Sequence, residues 1–291
     1  MLRRILCGVL AAAATVACSD SGGSGKLTVQ MTDAPFPYSE VSAVNVFVVR
    51  IDARTTDATT ADAENSANTS GWTTIATPNR VINLMSLQGG VTTNLGTTEL
   101  STGTYNAFRL VIDPAQSGVT LKTGGTVNTI FPSAAQSGIK INLSSPIEVT
   151  KDSSVMILDF DIGKSFVMRG NSITQNGLAF KPVIRAVASE LTGGLSGTVH
   201  TDTPSGAGMA DVTVEILKAG TLITSTDTAA VVATTKTDAN GAFTFRFVMP
   251  GSYVVRATPP SATTYQPALL TGGVTITSGA TVSNQSIVVT K

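Results

Sequence analysis

Apolar residues recur at every second position in short runs through most of this chain, and turn formers separate the runs. Lys26 to Thr32 sets Leu27, Val29 and Met31 on one face. Tyr105 to Ile112 alternates in the same way before Asp113-Pro114, and Val212, Val214 and Ile216 repeat the pattern far downstream. A period of two is the period of a strand, whose successive side chains point to opposite faces. Thr and Val, both branched at Cβ, dominate the runs and favour the same conformation. The pattern predicts an all-β chain with no long helix.

Further strands are expected at Trp72–Ala76, Val81–Met85, Ile139–Leu143, Val155–Phe160, Phe166–Met168 and Leu178–Val187, with one helical turn at Leu84–Leu87. Val41 to Ile51 would extend about 36 Å as one strand, which calls for a bend or bulge. Thr123-Gly124-Gly125 between Val119–Leu121 and Val127–Ile130 reads as a hairpin turn. Thr55 to Ser70 has no periodicity and reads as an exposed, mobile loop. Thr192-Gly193-Gly194 marks a boundary, after which strands restart at Leu195–Val199. They continue at Val212–Leu217, Leu222–Ser225, Val231–Thr235, Phe243–Phe247, Tyr253–Ala257, Val274–Ile276 and Ile287–Val289. The expected architecture is two β-sandwich domains, a larger one over 26–191 and a smaller one over 192–291.

The first residues follow a different pattern. Met1-Leu2-Arg3-Arg4 is cationic, and Ile5 to Val16 is apolar or small throughout except for Thr15. As a helix this run spans roughly 18 Å. That is short of the ~30 Å hydrocarbon core and suits a secretion signal. Thr15-Val16-Ala17-Cys18 then resembles the end of a bacterial lipoprotein signal, in which the cysteine receives diacylglycerol. The resemblance implies a signal peptide over 1–17, lipid on Cys18 and a Ser/Gly-rich tether over 18–25. Several acyl chains give the stable anchoring that one chain does not. Cys7 lies inside the apolar run, so a chain beginning at Cys18 has no disulfide partner. Ser19 after the cysteine resembles an outer-membrane sorting signal.

Two longer resemblances divide the rest. GKLTVQMTDAP at 25–35, INLMSLQGG at 82–90, STGTYNAFRLVI at 101–112, FPSAAQSGIKINL at 131–143, ILDFDIGKSFV at 157–167 and LAFKPVIRAV at 178–187 resemble the bacterial family called domain of unknown function 4382. Asn83 stands where that pattern has an acidic residue. The resemblance implies an exported all-β domain, often carried by lipoproteins, with no established activity. LSGTVHT at 195–201, MADVTVEIL at 209–217 and KTDANGAFTFRFVMPGSYVVRATP at 236–259 resemble the carboxypeptidase regulatory-like family. That implies a transthyretin-like, immunoglobulin-like sandwich serving as a spacer or accessory module, with no catalytic role. Within it, Asp238-Ala239-Asn240-Gly241 reads as a tight turn whose Asp accepts backbone hydrogen bonds, and Pro250-Gly251 reverses the chain before Tyr253.

Residues able to do chemistry are few. Charged residues make up 13% of the chain against about 25% in an average soluble protein, and 19 basic residues balance 19 acidic ones. No basic surplus points to nucleic acid, and no cationic patch is visible for anionic lipid. His200 is the only histidine, expected to be an exposed polar residue at a strand end near Asp202. With one histidine and no free cysteine, neither a Ser-His-Asp triad nor a zinc site is expected. Asp159 and Asp161 share a strand face unless a bulge intervenes, and Asp33 joins them if its strand is adjacent. Such a group suits Ca²⁺ or acid–base work; the plainer role is capping turns or pairing with Lys164 and backbone amides. Asp57, Asp62 and Glu64 read as solvated loop residues, and Asp238 with Asn240 as a turn. Trp72, Tyr38 and Tyr105 are candidates for a sugar-stacking platform, with core packing as the alternative.

The expectation is a non-enzymatic, lipid-anchored protein of the cell envelope, in the outer membrane, with no cofactor and no resident metal. Its partners would be the membrane, through Cys18, and an envelope protein or polysaccharide. The alternatives are a carboxylate-dependent glycan hydrolase and a Ca²⁺-stabilised adhesin.

Overall fold

The computed structural model describes residues 23–33, 36, 38–55, 72–132, 138–143 and 145–291. Cys18, most of the tether, Asp57, Asp62, Glu64 and nearly all of the Thr55–Ser70 segment lie outside the described residues.

The first body contains β1 (Ser24–Asp33), β2 (Val41–Thr55), β3 (Thr73–Ala76), β4 (Arg80–Asn83), β5 (Thr93–Ser101), β6 (Gly103–Leu121) and β7 (Thr126–Val127). It continues with β8 (Thr129–Ile130), β9 (Ile139–Leu143), β10 (Ile147–Val149), β11 (Ser154–Phe160), β12 (Phe166–Met168), β13 (Leu178–Phe180) and β14 (Ile184–Ala188). Most of these form one 11-stranded sheet whose main path runs β3-β2-β6-β9-β14-β11-β1-β5. β9 joins its two halves, which fold over one core, and the end strands meet where Gly96 lies against Ala76. Leu27, Val29 and Met31 enter that core fully buried, with Met156, Leu158 and Phe160 of the parallel neighbour β11. A separate sheet, β12-β13-β8, closes one side with Phe166, Leu178 and Phe180 buried beneath it.

The predicted bend in β2 is present. Its register against β6 slips between Val48 and Arg50, and the buried set changes from Val44, Val46 and Val48 to Ile51 and Ala53. An extra residue in one strand reverses every later side chain, which is what this change of parity records.

Two predicted boundaries are corrected and one strand is added. β6 does not stop before Asp113-Pro114 but runs through it. Pairing jumps from Phe47↔Asp113 to Asn45↔Gly118, so the proline sits in a bulge, where its missing N–H costs no ladder bond. The bulge closes on side chains: the Phe47 amide donates to Ser117 Oγ (2.9 Å), and the Ser117 hydroxyl donates to the Asp113 carbonyl (2.7 Å). Hydrogen bonds from the Gln116 side chain and the Ala115 amide hold the Asp113 carboxyl below the usual carboxylate range. Leu178–Val187 is two strands, β13 and β14, interrupted around Pro182. Thr93–Ser101, unmarked in the sequence, is the strand β5; only Leu95 and Leu100 are buried in it, and that spacing follows no strand period.

The second body has its own core, from Leu195 to Val289. Its strands are β15 (Gly193–Thr201), β16 (Thr213–Lys218), β17 (Val231–Lys236), β18 (Ala242–Val248), β19 (Gly251–Thr258), β20 (Ala268–Leu269), β21 (Val274–Ile276) and β22 (Thr281–Val289). They make a three-stranded sheet, β18-β15-β22, facing a five-stranded one, β17-β16-β19-β20 with β21. At the predicted turn, Asp238 Oδ1 accepts from the amides of Asn240 (2.8 Å) and Ala242 (2.9 Å), while Gly241 takes φ +78°. Leu222–Ser225 is not a strand. Leu222 is 72% exposed, and the Ile223 and Ser225 carbonyls accept from the Arg256 guanidinium at 3.0 and 2.7 Å instead of from a neighbouring strand.

Candidate functional site

Asp33, Asp159 and Asp161 line one partly open cleft between the two bodies. The parallel β1–β11 ladder causes this, because Thr32 stands opposite Asp159 and Asp33 opposite Phe160 at the strand ends. Asp161 falls just beyond β11 and caps the helical turn Ile162–Ser165, accepting from the Lys164 amide (2.9 Å). Each carboxylate is engaged. Asp159 is ion-paired with Arg185, its direct partner on β14. Lys164 Nζ is 3.1 Å from Asp161, and the buried Asp33 accepts from the Ile162 amide at 3.1 Å. This is the plainer of the two sequence readings, capping and pairing. Among the described residues no group of three or more His, Cys, Asp and Glu side chains is arranged to hold a metal ion.

The second body supplies the opposite wall through Val232–Thr235 and Thr244–Met249. A bulge shapes it. Gly193 pairs with Val248 and Leu195 with Phe245, so Arg246 and Phe247 together oppose Gly194. Phe247 consequently takes φ +58°, a conformation that costs a non-glycine residue roughly 1–2 kcal/mol. Arg246 lies over Gly90 of the first body so closely that a Cβ there would be 2.7 Å from its Cγ and Cδ. Gly90 itself has φ +81°.

A second charged cluster escaped the sequence reading. Thr74, Asp52, Arg109 and Lys140 stand opposite one another across β3, β2, β6 and β9. Asp52 is 1% exposed and accepts from Arg109 Nε (2.8 Å), Arg50 Nε (3.2 Å) and Thr74 Oγ1 (2.8 Å). The Trp72 ring covers the Arg109 guanidinium at 4.6 Å, a cation–π contact. The alternation Arg50-Ile51-Asp52-Ala53-Arg54 was the available signal, since it puts three charges on one strand face.

The aromatic candidates do not form a platform. Trp72 is taken up by Arg109 and Arg54, Tyr105 is buried beside Phe108, and Tyr38 packs edge-on against Phe36 while its hydroxyl accepts from the Met168 amide. His200 is half-buried rather than exposed, with Nδ1 2.9 Å from the Gly206 carbonyl oxygen. Asp202 accepts from the Tyr265 hydroxyl, at 3.0 Å. Asn83 caps the 3-10 turn Leu84–Gly90 by accepting from the Met85 amide. No helix among the described residues is long and apolar enough to cross a membrane.

The model of the domain of unknown function DUF4382 matches residues 24–182, more than half of the chain. The chain belongs to the DUF4382 family. Behind the DUF4382 region, residues 193–290 match the second β-sandwich domain of BOS complex subunit NOMO1-like proteins, over the stretch that resembled a regulatory-like sandwich. No curated protein matches in sequence. Similarity to solved structures covers 92% of the chain. The Bacillus anthracis TIE protein aligns at 13% identity and TM-score 0.24, and this chain spans about a third of its length (34%). GBS52, the minor pilin of Streptococcus agalactiae, aligns over 96% of its length at 15% identity and TM-score 0.24. BcpA, the major pilin subunit of Bacillus cereus, aligns over 99% at 12% identity and TM-score 0.27. Scores of this size fall short of a common overall fold, and nothing about this chain's role follows from them.

Proposed function

We propose that this DUF4382 protein is a non-enzymatic module of the bacterial cell envelope, held to the outer membrane by lipid on Cys18, that displays two β-domains to an envelope protein or polysaccharide. The division is at Thr192, between 26–191 and 192–291. The observation that carries the reading is Thr15-Val16-Ala17-Cys18, which joins a short apolar run to a Ser/Gly-rich tether and then to a chain whose regular structure, among the described residues, is mostly strand. The cleft supports it from the other side. A glycan hydrolase needs one carboxyl group free to donate a proton and another free to attack or to activate water. Here Arg185 neutralises Asp159 and Lys164 neutralises Asp161. Metabolic labelling with a tagged fatty acid, followed by envelope fractionation, tests the anchor. Label and membrane association should be present in the wild type and lost in Cys18→Ala; label persisting in that variant overturns it.

A further inference from the structure

Zero net charge conceals a local arrangement that only the sheets assemble. Of the large apolar side chains left exposed, Ile130 (50%) and Val167 (40%) lie on the small sheet β12-β13-β8. Val167 pairs with Ala179, and Ala179 pairs with Ile130. Directly paired residues share a face, so Val167, Ala179 and Ile130 form one continuous apolar row on the side opposite the buried Phe166, Leu178 and Phe180. Exposed apolar residues scattered singly need no explanation, but a row across three strands does.

Cations flank the row along the strand direction, one on each side. Arg169 follows Val167 by two positions, and its amide continues the ladder to the Gly177 carbonyl. Lys181 follows Ala179 by two, and its amide donates to the Ser165 carbonyl. Strand alternation therefore puts both on the apolar face. Both are exposed, and neither is in an ion pair among the described residues. No acidic residue occurs from Lys164 to Lys181 or from Thr126 to Pro132.

We propose that this face is an interfacial contact for an anionic lipid surface, with Ile130 and Val167 entering the headgroup boundary on either side of Ala179, and Arg169 and Lys181 meeting the lipid phosphates. An apolar centre flanked by long cationic side chains is the chemistry of a peripheral membrane contact. The choice of lipid rather than an acidic protein rests on the anchored reading above. From Cys18 to Ser24 the backbone reaches at most about 21 Å, which keeps the first body within a few tens of ångströms of a bilayer and makes its local concentration high.

The test uses the chain from Ser19 onward, which carries no lipid and retains every described residue, both cores included. It should co-sediment with vesicles of mixed phosphatidylglycerol and phosphatidylcholine and not with phosphatidylcholine alone. Arg169→Ala and Lys181→Ala should each weaken partitioning about fivefold, from the ~1 kcal/mol that each cation contributes near such a surface. Ile130→Asp with Val167→Asp should abolish binding, whereas Leu222→Asp on the second body should leave it unchanged. Circular dichroism melts confirm that these surface variants fold. A folded wild-type chain that ignores anionic vesicles, binds both vesicle types equally, or still binds with the double Asp substitution overturns the proposal. None of those results touches the Cys18 labelling experiment, so the two readings fail separately.

Discussion

Replacing Asp52 by Ala should be among the most costly single changes in the first body. Asp52 is 1% exposed and pairs directly with Arg109, which is 4% exposed. Removing one partner of a buried pair typically costs about 3–5 kcal/mol. The lower end applies here, because the cation–π contact with Trp72 still shields the guanidinium. The Arg50–Asp52 contact adds little, since the Arg50 side chain is 34% exposed and screened by water. About 3 kcal/mol corresponds to a fall in melting temperature of roughly 6–12 °C for a body of this size. Urea unfolding followed by Trp72 fluorescence measures it, because the only tryptophan lies on the cluster. Arg109→Met added to Asp52→Ala should recover more than half of the loss, since an apolar replacement needs no counter-charge. A loss below ~1 kcal/mol for Asp52→Ala, or a double variant less stable than the single one, would refute the view that the buried Asp52–Arg109 pair sets the cost.

Gly90→Leu should loosen the contact between the two bodies. The new side chain must take φ +81° and displace Arg246 from 2.7 Å, so small-angle scattering should show a larger radius of gyration while each body keeps its own unfolding transition. Stability should also fall above pH 10. Burial pushes the Tyr105 and Tyr253 phenols above their usual 10.0, with Arg185 partly opposing the shift at Tyr253. The unfolded chain loses these protons first, so the contribution is complete below pH 10 and disappears as pH rises through the folded values. Tyr105→Phe with Tyr253→Phe should flatten the alkaline limb of the melting curve, and an unchanged limb would assign it to other groups.

Much of the fold was legible because strands carry their burial in their spacing. Leu27, Val29 and Met31, or Val212, Val214 and Ile216, show an inward face before any partner is known. Turn residues were legible for a local reason: Asp238 and Gly241 act on backbone within a few residues of themselves. β5 was hidden because its side chains lie along a sheet edge and mostly face water, leaving no alternation to read. Leu222–Ser225 misled because its composition suits a strand, whereas an arginine from β19 satisfies its carbonyls.

By itself the sequence determined the all-β class, the positions of most strands, the family and the cysteine expected to carry lipid. These depend on short-range periodicity and on residues near one another in the chain. The tertiary structure decided which charges meet. Asp159 finds Arg185, Asp52 finds Arg109, and Val167 lines up with Ile130 across Ala179 only once strands far apart in sequence are brought together. Strand order and register are set by long-range pairing across one folded sheet, and no local pattern encodes which strand becomes the neighbour of which.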